Sequence, residues 1–110
     1  MPDERPSDSV AVLCRPTPDG FACDVIVGRD AGATRHVVSI SRPDLARLAP
    51  GHYDPQTLVE ASFAFLVARE ARESILPRFA LPVIERYFPG YEAEMRRRMA
   101  APSTITRREP

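Results

Sequence analysis

Across residues 58–68 only Glu60 and Ser62 are polar, and this stretch constrains the fold more than any other. It lies in a helix expected over residues 55–72. Asp54 supplies the N-cap and Pro55 takes the first helical position, where the missing N–H is not needed. Leu58, Ala61 and Phe65 fall on one face, while Val59, Phe63, Leu66 and Val67 spread over the rest. A surface helix keeps a broad polar face, so one that is apolar nearly all round must be covered on most sides. A chain of 110 residues has little material for that. Either the later helices wrap this one or a second copy of the chain does. The expectation is a homodimer whose interface includes Phe63, Leu66 or Val67, since two-fold pairs are the commonest oligomers.

Upstream of this helix the apolar period is two. Residues 10–15 read as a short strand, and Pro16 to Gly20 as a turn. In residues 21–27, Phe21, Cys23, Val25 and Val27 share a face. A second turn holds Gly28 and Gly32. His36, Val38 and Ile40 then alternate with polar and apolar neighbours over residues 34–41. Three strands joined by short turns make an antiparallel meander. Ser41 followed by Asp44 resembles a capping box, and Pro43 sits in the first turn of a helix that ends near Leu48. Past residue 72, Pro77 limits a turn, Leu81-Pro82 opens a short helix through Phe88, and residues 91–99 form the last helix. The fold class is therefore α+β: a three-stranded antiparallel meander followed by about four helices, with strands confined to residues before 42. Residues 1–9 read as a disordered tail, 10–99 as a single α+β domain, and 100–110 as a flexible C-terminal tail.

Acidic and basic residues balance at 15 each. That argues against a dedicated nucleic-acid or membrane-surface binder, both of which use excess positive charge. Every basic residue is Arg. With the many Ala and Pro, this reads as the coding bias of a GC-rich bacterial genome, and it removes Lys as a Schiff-base or phosphate-loop residue. The first residues lack a basic segment followed by an apolar one, so no signal peptide is expected. The longest apolar run, residues 63–68, falls far short of the ~20 residues of a membrane span. The expected setting is cytoplasmic, with no membrane partner and with Cys14 and Cys23 as free thiols.

A search for chemistry finds little. The five glycines are scattered among turns, which excludes a phosphate-binding loop. Ser39, Ser41 and Ser62 lie outside any nucleophile-elbow pattern. Cys14, Cys23, His36 and His52 lack the paired spacing of a zinc site. His36 shares a strand face with Val38 and Ile40 and reads as a partly buried, hydrogen-bonded histidine. No catalytic residue, cofactor-binding residue, metal ligand or cofactor is assigned, and the reading leans away from an enzyme. Arg69 and Glu73 are spaced to pair across a helical turn. Leu81, Ile84, Tyr87 and Phe88 recur at helical spacing and read as a packing stripe, with the Tyr87 hydroxyl at its edge. From residue 91 onward, Arg96, Arg97, Arg98, Arg107 and Arg108 outnumber Glu92, Glu94 and Glu109. These five Arg are the nucleic-acid candidates, for weak contact only. Their plainer reading is a solvated helix end that also suits the helix dipole.

The stretch Phe63-x-Phe65-Leu66-x-x-Arg69-Glu70-x-x-Glu73-Ser74-Ile75-Leu76-x-x-Phe79-x-Leu81-x-x-Ile84-x-x-Tyr87-Phe88-Pro89 resembles one found in a family of short uncharacterised bacterial proteins. The resemblance covers about a quarter of the chain and implies a similar strand-then-helix domain. It implies no activity, ligand or catalytic residue. Ala71 and Ala80 depart from it, standing where Pro and an acidic residue are expected. The function expected is that of a non-enzymatic protein-interaction module, a small adaptor or regulator that self-associates and meets an unidentified protein partner. The alternatives are a nucleic-acid-associated regulator acting through the Arg cluster and a small-ligand binder or enzyme with a pocket between sheet and helices.

Overall fold

The alternating segments pair into a sheet whose two faces differ as period-two patterning requires. In the computed structural model, which describes residues 9–51 and 54–105 (only the backbone over 101–105), β1 is Val10–Pro16, β2 Gly20–Val27 and β3 Thr34–Ser41. β1 and β2 are antiparallel with Val12 opposite Val25 and Cys14 opposite Cys23. β2 and β3 are antiparallel with Cys23 opposite Val38 and Val25 opposite His36. One face of the sheet therefore gathers Val12, Cys23, Val25, Val27, His36, Val38 and Ile40, all buried. Thr17 and Gly20 bond each other's backbone across Pro18-Asp19, which sets the β1–β2 register as a two-residue hairpin. The β2–β3 turn begins at Gly28, whose φ of 98° favours glycine, and the Arg72 guanidinium packs against it.

Ser41 caps α1 (Arg42–Leu48), accepting from the Asp44 N–H at 3.2 Å. Asp54 caps α2 (Pro55–Val67), accepting from the Gln56 N–H at 3.0 Å. α2 lies on the inner face of the sheet. Leu58, Val59 and Phe63 are fully buried, and Phe65 and Leu66 nearly so. The sheet covers one side of this helix. α1 and α4 (Tyr91–Ile105) cover others, and the short α3 (Ile84–Tyr87) packs against α4. Ser62, one of the two polar residues in the apolar stretch, is buried too: its hydroxyl donates to the Leu58 carbonyl at 2.8 Å and accepts from the Tyr91 hydroxyl at 2.6 Å.

The α+β class holds, but the meander is a correction. A fourth strand, β4 (Arg78–Ala80), lies parallel to β3 and makes a mixed sheet of order β1-β2-β3-β4. Strands are thus not confined to residues before 42. The three residues of β4 are too few to show alternation. β4 is held by its neighbour, through the Val37 N–H donating to the Pro77 carbonyl at 2.8 Å. The parallel pairing is possible because α1 and α2 form the long crossover it needs.

A second correction concerns the thiols. Cys14 and Cys23, expected free, form a disulfide. They are directly opposed on neighbouring strands with Cα atoms 4.0 Å apart. Helix ends also moved. α2 stops at Val67, before the Arg69–Glu73 spacing can operate. Arg69 instead lies 3.6 Å over the Phe65 ring and donates to the Phe65 carbonyl, while Glu73 pairs with Arg72. α4 runs past residue 99 to Ile105. Of the tails expected over residues 1–9 and 100–110, residues 1–8 and 106–110 lie outside the described residues. Among those described, no helix is long and apolar enough to cross a membrane.

Candidate functional site

Where α2 ends, the chain leaves the helical layer and returns to the sheet, and this detour opens a groove. The Arg69 and Glu70 N–H groups both donate to the Leu66 carbonyl and close the helix. A 3-10 turn at Arg72–Ser74 follows, then an extended run through Ile75 and Leu76 into β4. His36 anchors that run. Its Nδ1 donates to the Leu76 carbonyl at 2.7 Å, so the Thr34 hydroxyl, 2.9 Å from Nε2, completes the ring's bonding. The histidine ring also packs against Phe63, which in turn meets Phe79. Beyond β4, a 3-10 turn at Leu81–Val83 leads into α3.

These pieces surround a cavity of about 350 Å3. Its floor is Leu66, Ile75 and Ile84, all buried. Phe79, Val83 and Phe88 form the walls, and Leu76 and Tyr87 stand at the lips. Among the described residues the large apolar side chains most open to water are Leu13 at 71%, Tyr87 at 65% and Leu76 at 45%. Two of the three therefore flank one groove. Glu70 and Ser74 bring polarity to it, and the half-buried Glu70 carboxylate has no ion-pair or hydrogen-bond partner among the described residues.

The candidates named from sequence fall in different places. Phe63 is fully buried and Leu66 is 3% exposed, so intrachain packing covers both. Val67 is half-buried against the core. Leu66 also lines the floor of the groove. Arg96 donates to the Arg47 carbonyl at 2.8 Å, Arg97 pairs with Glu94, and Arg98 binds both Glu94 and the Ala61 carbonyl. Hydrogen bonding to Arg98 holds the Glu94 carboxyl below its usual range against the opposing effect of desolvation, with further help from the charge of Arg97. Arg107 and Arg108 lie outside the described residues. Tyr91, buried against Phe65, keeps its phenol protonated: burial raises its pKa, and the bond to Ser62 only partly offsets this.

A pocket between sheet and helices is among the alternatives the sequence offers, but nothing in the sequence assigns these residues to it. Ile84, Tyr87 and Phe88 read as a packing stripe because their spacing is helical. The available signal was Pro77 and Pro82, which keep residues 75–83 from forming a helix that would fill the space. No protein family, curated protein or solved structure matches the chain.

Proposed function

We propose that this protein is a non-enzymatic interaction module whose working surface is the groove between α2, β4 and α3. One observation carries the reading: Leu76 and Tyr87 expose apolar surface on both lips of an apolar groove. Exposed apolar surface gathered in one place marks contact sites, whereas scattered apolar residues need no explanation. The occupant is a segment of a partner protein with an apolar anchor for the floor and a nearby Lys or Arg for the unpartnered Glu70. The disulfide supports an oxidising setting over the cytoplasmic one, where Cys14 and Cys23 would be reduced.

The test places a photo-crosslinking residue at Tyr87 in the full chain, in its native cell, with the same residue at Glu60 as a control. The expected result is a discrete adduct at position 87 that maps to an apolar, basic-flanked segment. A synthetic peptide of that segment should bind the purified protein and bind about tenfold more weakly to Glu70→Gln, the loss of one charge-assisted hydrogen bond. Equal labelling at both positions, or a segment without an apolar anchor, overturns the reading.

The second reading, a small-ligand binder, is favoured by the cavity volume, which lies at the lower end of ordinary ligand pockets. A metabolite retained in native mass spectra and displaced by Leu66→Trp would support it over the first. The nucleic-acid reading has less support, because Arg96, Arg97 and Arg98 already serve acceptors within the chain.

A further inference from the structure

β1 is the terminal strand of the sheet, and among the described residues no strand pairs with its outer edge. Soluble proteins guard such edges with charges, prolines, bulges or covering segments. In β1 the only charge and the only proline are Arg15 and Pro16, both at its far end. Midway along it stands Leu13, the most exposed large apolar residue described.

The hydrogen-bonding parity of this edge can be read directly. In an antiparallel pair, opposed residues alternate between bonding each other and facing away. The Gly28 N–H donates to the Ser9 carbonyl, and Thr17 bonds Gly20, so odd-numbered residues of this strand face β2. The short Cα separation of Cys14 and Cys23 fits the non-bonded class. Val10, Val12 and Cys14 therefore aim N–H and C=O away from β2, and Pro16 aims its C=O. Carried across the sheet, the same alternation turns the Val37 N–H toward β4, where it meets the Pro77 carbonyl as observed.

We infer that this edge pairs with the same edge of a second copy of the chain, antiparallel about a two-fold axis at Leu13. In that register Val12 exchanges both backbone bonds with Cys14 of the second copy. The Val10 N–H reaches the Pro16 carbonyl, so the proline's missing donor falls on the outermost rung. Leu13 meets Leu13 in a close, non-bonded pair, and the most exposed apolar side chain leaves the water. Arg15 comes opposite Ala11, so no like charges face each other across the strands, and Arg15 keeps its own ion pair with Asp24 at 2.9 Å. The edge is thus complementary to itself in parity, charge and apolar contact, which a two-fold interface demands and a foreign strand would have to imitate. The contact is one strand wide and falls below the ~1,200 Å2 of total buried area typical of stable complexes, so the dimer is weak and concentration-dependent. This interface leaves the groove open and stands or falls independently of it.

Sedimentation equilibrium of the full chain, from about 10 to 500 µM, is the test, a range suited to micromolar affinity. The parent should show a reversible monomer–dimer equilibrium. Leu13→Lys and Leu13→Glu should each weaken it at least about tenfold, because each sets like charges against each other at the axis. An equimolar mixture of the two should restore a heterodimer. Hydrogen exchange on the parent, which needs no variant, should show the Val12 and Cys14 amides gaining protection as concentration rises. A parent that stays monomeric throughout, a dimer indifferent to charge at Leu13, a mixture that fails to restore pairing, or protection that grows elsewhere overturns the proposal.

Discussion

Replacing Tyr91 with Phe and replacing Ser62 with Ala remove the same hydrogen bond but leave different things behind. Ser62 donates to the Leu58 carbonyl, so the Tyr91 hydroxyl must be the donor to Ser62. Tyr91→Phe leaves Ser62 satisfied and should cost about 1 kcal/mol. Ser62→Ala strands a buried phenol and should cost about 1–3 kcal/mol, a difference that denaturant titration resolves. The pair also predicts a pH effect. The folded-state pKa of Tyr91 is raised above the usual tyrosine value of about 10, chiefly by burial. A group raised on folding contributes stability that is complete below its unfolded pKa and is lost as pH rises toward the folded one. Thermal stability should therefore fall above about pH 10, and Tyr91→Phe should flatten that fall. Equal slopes in parent and variant would show that other groups govern alkaline unfolding.

The β1–β2 hairpin carries the main prediction at the scale of elements. The disulfide closes a loop with a sequence separation of 9. Its chain-entropy contribution is about 2–3 kcal/mol, since a loop of this size is restrained mainly in the unfolded state. Cys14→Ser with Cys23→Ala should lower the stability of the oxidised protein by that amount and leave the reduced protein's nearly unchanged. A loss that persists under reduction would place the effect in packing at Cys23 instead. This bridge was missed in the sequence because compartment was allowed to decide it, although the hairpin already set the two cysteines opposite each other. α2 was legible because an apolar stretch with an Asp-Pro start has few other solutions. Its end was not, since Arg69 and Glu73 have helical spacing and nothing local shows that Arg69 will instead cover Phe65. β4 was illegible for a different reason: its place is dictated by Val37 and His36, forty residues away, and not by any pattern in Arg78–Ala80 itself. The groove inherits that blindness, because it exists only once β4 has docked against β3. His36→Ala tests the same dependence. It removes the donor to the part-buried Leu76 carbonyl, should cost about 1 kcal/mol, and should speed amide exchange in residues 76–80 more than in β2.

At the scale of the whole molecule, the question is what joins the helical layer into one piece around α2. Apolar contact accounts for the inner surfaces, with Leu45, Leu48, Ile84, Tyr91 and Met95 buried in the same core as α2. At the outer seam the joint is Arg47. From α1 its guanidinium reaches Asp44 on its own helix, Glu85 on α3 at 2.8 Å and Glu92 on α4 at 2.6 Å. Its carbonyl also accepts from Arg96 on α4. Burial alone would lower the Arg47 pKa, but Glu85, Asp44 and Glu92 outweigh it and raise it, so the charge is fixed at any ordinary pH. Arg47→Met keeps most of the aliphatic stem and removes the charge. Three carboxylates would then converge on an apolar side chain, with Glu85 already partly buried. Because the group is about one-third exposed, solvent screens much of the interaction, and a loss of about 1–2 kcal/mol is expected, less than for a fully buried pair. The distinctive expectation is its pH dependence. Without Arg47 the crowded carboxylates repel, so the variant should recover stability relative to the parent as pH falls through the carboxylate range near 4. Guanidinium chloride would screen the effect, so urea titrations at pH 7 and pH 4 are the measurement. A deficit that stays constant between the two would mean that Arg47 acts through its stem and not through its charge, and that the helical layer is held by apolar packing alone.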